Sequence, residues 1–162
     1  MFYQTDSKFK NEIMTHPAGQ KNADLIGDYG CLVTCYCNIL FLRGEDLNPK
    51  SLNEIIKQYK GYAYLFDPTT PSSKASFLRT EILENLYNFK KTIYTSKDLN
   101  YQINAYYIAK INVIANGITY THFINILEDL KSSFYCYDVY DGKQVKIDKN
   151  KVIDIYKIEF SI

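Results

Sequence analysis

A nearly all-apolar segment, Cys31–Leu42, constrains the fold of this chain more than any other feature. Arg43 and Gly44 follow it, and a glycine at this place is typical of a residue just past a helix end. A helix that is hydrophobic almost all round has no face for solvent and must be buried. Because residues 27–30 lead in tightly with two glycines, we predict a buried central helix that begins at or near Cys31.

Three further segments carry helical patterns. Asn48 can cap a helix with Pro49 in its first turn, and Gly61 can end it. The apolar residues of this helix follow the i, i+3, i+4, i+7 spacing: Leu52, Ile55, Ile56 and Tyr59. Residues 73–88 have two distinct faces and predict a third helix, and residues 97–104 have a weaker helical pattern.

The second half of the chain has the pattern of β-strands. Asn116-Gly117 and Asp141-Gly142 are turn signals, because these residue types tolerate positive φ. The predicted strands cover residues 107–114, 120–127, 134–139, 144–147 and 152–160. Helices followed by a consecutive, antiparallel sheet predict an α+β fold.

Length and charge narrow the function classes. The chain has 162 residues, which fits one domain over residues 1–162. Its 19 basic and 18 acidic residues nearly balance, which argues against nucleic acid or an anionic membrane as partner. The N-terminus lacks a signal-peptide pattern, and the apolar runs are far shorter than the roughly 20 residues of a membrane helix. We therefore expect synthesis in the cytoplasm, which leaves open a place in a virion or release by lysis.

Cys31 is the first candidate for chemistry. At a helix N-terminus, unpaired backbone N–H groups and the helix dipole favour a thiolate, and Gly30 would let a substrate approach closely. Cys35 and Cys37 fit the role of small core residues on an apolar helix. The chain has four cysteines, and without a secretion signal we expect free thiols. A buried, inert Cys31 is the competing interpretation.

His122 and Asp138 are candidates to activate that thiol. Alternation places His122 on one strand face with Ile124 and Ile126. Asp138 ends the next predicted strand, so it can lie beside His122 if the two strands are neighbours. A carboxylate there would fix the imidazole tautomer and stabilise the imidazolium. Taken singly, each could be structural: a satisfied core histidine and a turn aspartate.

The chain resembles the C39-like branch of the papain-fold cysteine peptidases, which is common in bacteria and phages. Three blocks carry the resemblance: residues 3–9, with Gln4, Asp6 and Phe9; residues 26–34, a Gly-x-x-Gly-Cys block; and His122-Phe123-Ile124, followed by residues 138–142. The resemblance implies a papain-like fold in which Cys31 is the nucleophile, His122 the general base and acid, and Asp138 the orienting residue. It also implies that Gln4 and the Cys31 backbone N–H bind the oxyanion.

Two positions depart from the family pattern. Phe9 stands where the family usually has Trp, and Val139 stands where it usually has Pro. The second departure leaves Asp141 as a substitute for Asp138, and Gln20 is a substitute for Gln4. We predict a cysteine peptidase that needs neither cofactor nor metal and acts on a peptide or protein.

Three alternatives remain. The substrate could be the cross-linking peptide of the bacterial cell wall, although no cell-wall-binding module is visible. The chain could be a catalytically inactive papain-like binding protein. It could also be a metal-binding module that uses its cysteines and His122, although the spacing C-x3-C-x-C matches no compact zinc pattern.

Overall fold

The computed structural model describes residues 1–15, 24–64 and 76–161, and in these ranges the chain is α+β, as predicted. The helices are α1 (Ile26–Tyr29), α2 (Cys31–Leu42), α3 (Pro49–Gln58) and α4 (Thr80–Tyr87), with a 3-10 turn at Lys149–Lys151. The strands are β1 (Ile13–Thr15), β2 (Asp24–Leu25), β3 (Tyr62–Tyr64), β4 (Ser76–Leu78), β5 (Phe89–Tyr94), β6 (Tyr106–Ala115), β7 (Ile118–Leu130), β8 (Ser133–Tyr137), β9 (Gln144–Asp148) and β10 (Val152–Phe160).

Helix α2 is the buried central helix that the apolar run predicts. It begins at Cys31, and every side chain from Val33 to Leu40 is buried. Thr34 and Asn38 are satisfied locally and across the core: the Thr34 hydroxyl donates to the Gly30 carbonyl at 2.8 Å, and the Asn38 amide donates to Asn125 Oδ1 at 3.1 Å. Burial on all sides follows from the all-round apolar character of the segment.

Helix α3 confirms the predicted cap at Asn48. The Asn48 side chain accepts from the Ser51 N–H, and the Ser51 hydroxyl accepts from the Asn48 N–H, which makes a capping box. At the other end, Lys60 rather than Gly61 takes the left-handed conformation, with φ of 52°. The Gly61 N–H donates to the Ile56 carbonyl at 2.7 Å, as in a Schellman motif.

Two of the helix predictions are wrong in the described residues. In place of a helix over 73–88, residues 76–78 form β4, which pairs with β3, and α4 begins only at Thr80. Residues 97–104 form turns and no helix. Strand β5, which the sequence did not predict, follows α4 directly after Asn88 in the left-handed conformation. Pairing with β10 stabilises β5, and such a long-range contact leaves no local pattern.

The main sheet has six antiparallel strands in the order β5-β10-β6-β7-β8-β9. The prediction of consecutive neighbours is confirmed for β6 to β9 and wrong for β10, which lies between β5 and β6. The β6–β7 hairpin turns at Asn116 and Gly117, with φ of 53° and 75°, as the turn signal predicts.

Two apolar clusters stabilise this sheet. One packs α2 and its neighbours against it and includes Tyr36, Leu40 and Ile108. The other involves the sheet strands themselves and includes Ile124, Ile126 and Phe134. No helix in the described part of the chain is both long and apolar enough to cross a membrane.

The N-terminal residues, which the sequence indicates only as polar and irregular, are fixed to the far end of the chain. The Gln4 N–H donates to the Val139 carbonyl at 2.6 Å, and the Thr5 N–H donates to the Tyr140 carbonyl at 3.3 Å. The segment therefore lies along the turn that follows β8. This contact brings Gln4 to the end of the sheet where Asp138 lies.

Candidate active site

A cleft of about 1200 Å³ lies where the N-terminus of α2 approaches the sheet. Cys31, His122, Asp138 and Gln4 all line it. These are the four residues that the sequence and its resemblance single out. Gln20, the substitute for Gln4, and the second histidine, His16, lie outside the described residues.

Gly30 allows Cys31 to sit at the start of α2. A Cβ on Gly30 would lie 2.5 Å from the carbonyl oxygen of Ile26, so α1 and α2 can meet this closely only at a glycine. As the first residue of α2, Cys31 has a backbone N–H with no intrahelical acceptor. Its side chain is only partly buried and lines the cleft. A thiol here has access both to substrate and to the positive end of the helix dipole.

His122 lies between Cys31 and Asp138. Its Nε2 is 2.7 Å from Asp138 Oδ1, and its side chain is 12% exposed. Because an ionised carboxylate only accepts hydrogen bonds, Nε2 carries the proton that is shared with Asp138. The Cys31 thiol lies close enough to the imidazole to raise the pKa of His122, and with Nε2 on Asp138 the nitrogen left for the thiol is Nδ1. Cys31, His122 and Asp138 thus lie together in the cleft.

The groups around His122 favour its protonated, positively charged form. Burial lowers the pKa of His122, but the hydrogen bonds with Asp138 and with Cys31 outweigh burial and raise the pKa to about 9. Burial likewise raises the pKa of Asp138, and its hydrogen bonds to His122 and to the Tyr140 N–H more than compensate and lower it. At neutral pH the pair is therefore an imidazolium beside a carboxylate.

The turn after β8 fixes Asp138 and excludes the substitute Asp141. In register, Ile126 lies opposite Cys136 and Asn125 opposite Tyr137, so Asp138 comes directly after the paired part of β8. Its Oδ1 also accepts the Tyr140 N–H at 2.9 Å.

Asp141 instead binds the Lys143 side chain at 2.6 Å and accepts the Lys143 N–H. Val139, between Asp138 and Tyr140, is fully buried.

Gln4 contributes a buried amide to the same cleft. Its Nε2 donates to the Gly27 carbonyl at 2.9 Å, while its Oε1 is buried without a hydrogen-bond partner among the described residues. An amide nitrogen has two N–H donors, so one remains for a ligand. Phe9 packs edge-on against Phe2 with ring centroids 5.9 Å apart. The aromatic residue thus anchors the segment that carries Gln4.

A buried polar network that the sequence did not indicate joins α2 to the sheet near the site. The Asn38 amide donates to Asn125 Oδ1 at 3.1 Å, and the Asn125 amide donates to the Cys35 carbonyl at 3.2 Å. Asn38 also exchanges hydrogen bonds with the backbone of Phe2. Asn125 is three residues from His122 on β7, so the network fixes the register of α2 against that strand. An Asn on the buried side of a predicted helix was the available sequence signal.

The other three cysteines differ from Cys31. Cys35, Cys37 and Cys136 are buried free thiols. Burial raises the pKa of Cys37 and of Cys136 to about 12 each, and it also raises the pKa of Cys35. Among the described residues, no group of three or more His, Cys, Asp or Glu side chains could hold a metal ion.

Comparison of the sequence with models of known protein families gave no match, and a search of curated proteins found no relative.

Proposed function

We propose that this chain is a cysteine hydrolase of the papain-like, C39-like type, which cleaves a peptide or amide bond through a thioester on Cys31. The single observation that carries the proposal is the His122–Asp138 pair, with 2.7 Å between imidazole and carboxylate, in the same cleft as Cys31 at the start of α2. A nucleophile, a base and a group that orients the base are the requirements of such catalysis.

The proposed reaction has two halves. The Cys31 thiolate attacks the carbonyl carbon, and the His122 imidazolium gives its proton to the leaving nitrogen, so that a thioester and a free amine form. Water then attacks the thioester while His122 accepts its proton, the acid product leaves, and the Cys31 thiolate and the His122 imidazolium are restored. The Cys31 N–H and the second N–H of Gln4 are the available donors for the oxyanion.

Selective alkylation is the first test. Iodoacetamide at pH 6 should add one label, at Cys31, because burial raises the pKa of the other three thiols and keeps them protonated. The Cys31→Ala variant should take up no label, whereas Cys37→Ala should behave as the wild type. Slow labelling of native Cys31, at the rate of an ordinary free thiol, would contradict the proposed activation.

Turnover is the second test. Wild-type protein and Cys31→Ala would be incubated with peptides from a digested proteome and, separately, with purified peptidoglycan. New peptide termini that appear only with the wild type would support a peptidase, and release of wall peptides would favour the cell-wall alternative. Equal products with the Cys31→Ala variant would refute the proposal. Rapid labelling without turnover on either substrate would favour the inactive binding protein.

A further inference from the structure

Lys91 is unusual among the lysines of this protein. Five lysines in the described residues are partly or fully buried, and four of them bind a carboxylate within 3.4 Å: Lys57, Lys110, Lys149 and Lys157. Among the described residues, no carboxylate lies within 4.0 Å of the Lys91 ammonium, although this side chain lines the cleft. A charge withdrawn from solvent without a counter-ion is costly.

The Lys91 side chain is nevertheless held in place. Its ammonium donates to the Thr80 hydroxyl and lies 5.5 Å from the centroid of the Tyr156 ring. The nearby Glu84 carboxylate accepts the backbone N–H of Lys91 at 2.7 Å. An ammonium has three donors, so the Thr80 contact leaves two of them for a ligand.

The surroundings of Lys91 favour an anion. Thr80 is the first residue of α4, so the ammonium lies at the end of the helix where the dipole is positive and a cation is unfavourable. The Tyr36 hydroxyl interacts with Thr80 but is fully buried and does not line the cleft. A bound anion would satisfy the ammonium and the helix terminus together.

We propose that the cleft contains a carboxylate-binding subsite formed by Lys91 and Thr80, which selects substrates with an acidic group a few residues from the cleaved bond. The subsite rests on the proposed cysteine hydrolase function, because it shares a cleft with Cys31. Lys91 and Thr80 line that cleft too, so one extended peptide can lie against Cys31 and the subsite together.

A binding experiment tests the subsite without turnover. The probe is N-acetylglutamate α-amide, and N-acetylglutamine α-amide is its neutral control. In nitrogen-15 NMR of the full chain, the acidic probe should shift the amide signals of Lys91 and Thr80 saturably, and the neutral probe should not. The shifts should vanish in Lys91→Met and persist in Lys90→Met, which changes the exposed neighbouring lysine. Equal responses to both probes, or shifts that survive Lys91→Met, would overturn the subsite.

A cleavage experiment separates the subsite from the proposed chemistry. In peptides from a digested proteome, wild-type cleavage sites should be enriched in Asp or Glu at one fixed position. The enrichment should disappear in Lys91→Met and change to Lys or Arg in Lys91→Glu, with thermal unfolding as the check on folding. Cleavage with no acidic preference would overturn the subsite and leave the hydrolase intact. Acidic-probe binding without cleavage of any peptide would support the subsite and count against the peptidase.

Discussion

Replacing Asp138 with asparagine tests the electrostatic coupling on which the candidate site depends. Asparagine keeps the size of the side chain and removes its charge. In the native protein the pKa of His122 is about 9, because hydrogen bonds with Asp138 and Cys31 outweigh the effect of burial, which acts in the opposite direction. The substitution leaves burial unchanged and removes the Asp138 contribution, so the pKa of His122 should fall.

The magnitude follows from the geometry. An opposite charge within about 4–6 Å is worth about 1–3 pKa units, so the pKa of His122 in Asp138→Asn should be roughly 6–8. At about 1.4 kcal/mol per unit, the carboxylate stabilises the imidazolium by about 1–4 kcal/mol. With Nε2 2.7 Å from Oδ1 and the imidazole 12% exposed, solvent screens this pair weakly.

The coupling also sets how stability depends on pH. The folded pKa of His122, about 9, lies above its ordinary value of 6.5, so the stabilisation of about 3 kcal/mol is complete below pH 6.5 and is lost as pH rises through 9. The pKa of Asp138 is lowered from 3.8, so its contribution is complete above pH 3.8 and is lost as pH falls through the folded pKa. The difference in unfolding free energy between wild type and Asp138→Asn should therefore be largest between these limits.

The assay is an NMR titration of the imidazole signals. The chain has only two histidines, so a His16→Gln background leaves His122 as the sole titrating imidazole. Asp141→Asn is the matched control, because Asp141 binds Lys143 instead of His122 and its loss should leave the His122 pKa nearly unchanged. An unchanged His122 pKa in Asp138→Asn, or an equal shift in Asp141→Asn, would refute the coupling.

Three further predictions concern the supports of the site. Gln4→Ala should lower kcat by about 100- to 1000-fold with a smaller effect on KM, because it removes a donor to the oxyanion. A rise in KM as large as the fall in kcat would point to a structural role for Gln4. Gly30→Ala should destabilise the fold by about 1–3 kcal/mol in urea unfolding, because the new Cβ meets the Ile26 carbonyl; unchanged stability would contradict the close packing of α1 on α2. Asn125→Leu should lower the unfolding free energy by about 1–3 kcal/mol, because it removes the hydrogen bonds that the Asn125 side chain makes with the Asn38 amide and with the Cys35 carbonyl. A variant more stable than the wild type would show that the network is dispensable.

Local rules explain the elements that the sequence predicts well. The start of α2 at Cys31, the capping box at Asn48 and the hairpin turn at Asn116-Gly117 each depend on residues within a few positions of one another. The helix over 73–88 failed for a related reason. Its amphipathic pattern is real in α4, but pairing of β4 with β3 takes residues 76–78 out of the helix.

In the candidate site, too, local features were predictable from the sequence and contacts between distant residues were not. From the sequence, residue type and predicted element nominated Cys31, His122 and Asp138, and the family resemblance added Gln4. It left open Asp138 against Asp141, and the turn after β8 decides between them through a 2.7 Å contact with His122. It gave no sign of Lys91, because the absence of a counter-ion is a property of packing and not of spacing.

The sequence by itself determined the composition of the core, the buried central helix, and the candidate residues for the proposed thiol chemistry. Only the tertiary structure decided which distant residues and strands lie next to each other. The backbone hydrogen bond from Gln4 to Val139 brings Gln4 to the cleft, and β10, the last strand in the chain, pairs between β5 and β6. The physical reason is the separation along the chain of the residues that interact. Caps, turns and amphipathic faces depend on neighbours in the chain, whereas strand order and side-chain partners depend on contacts between distant residues that no local pattern encodes.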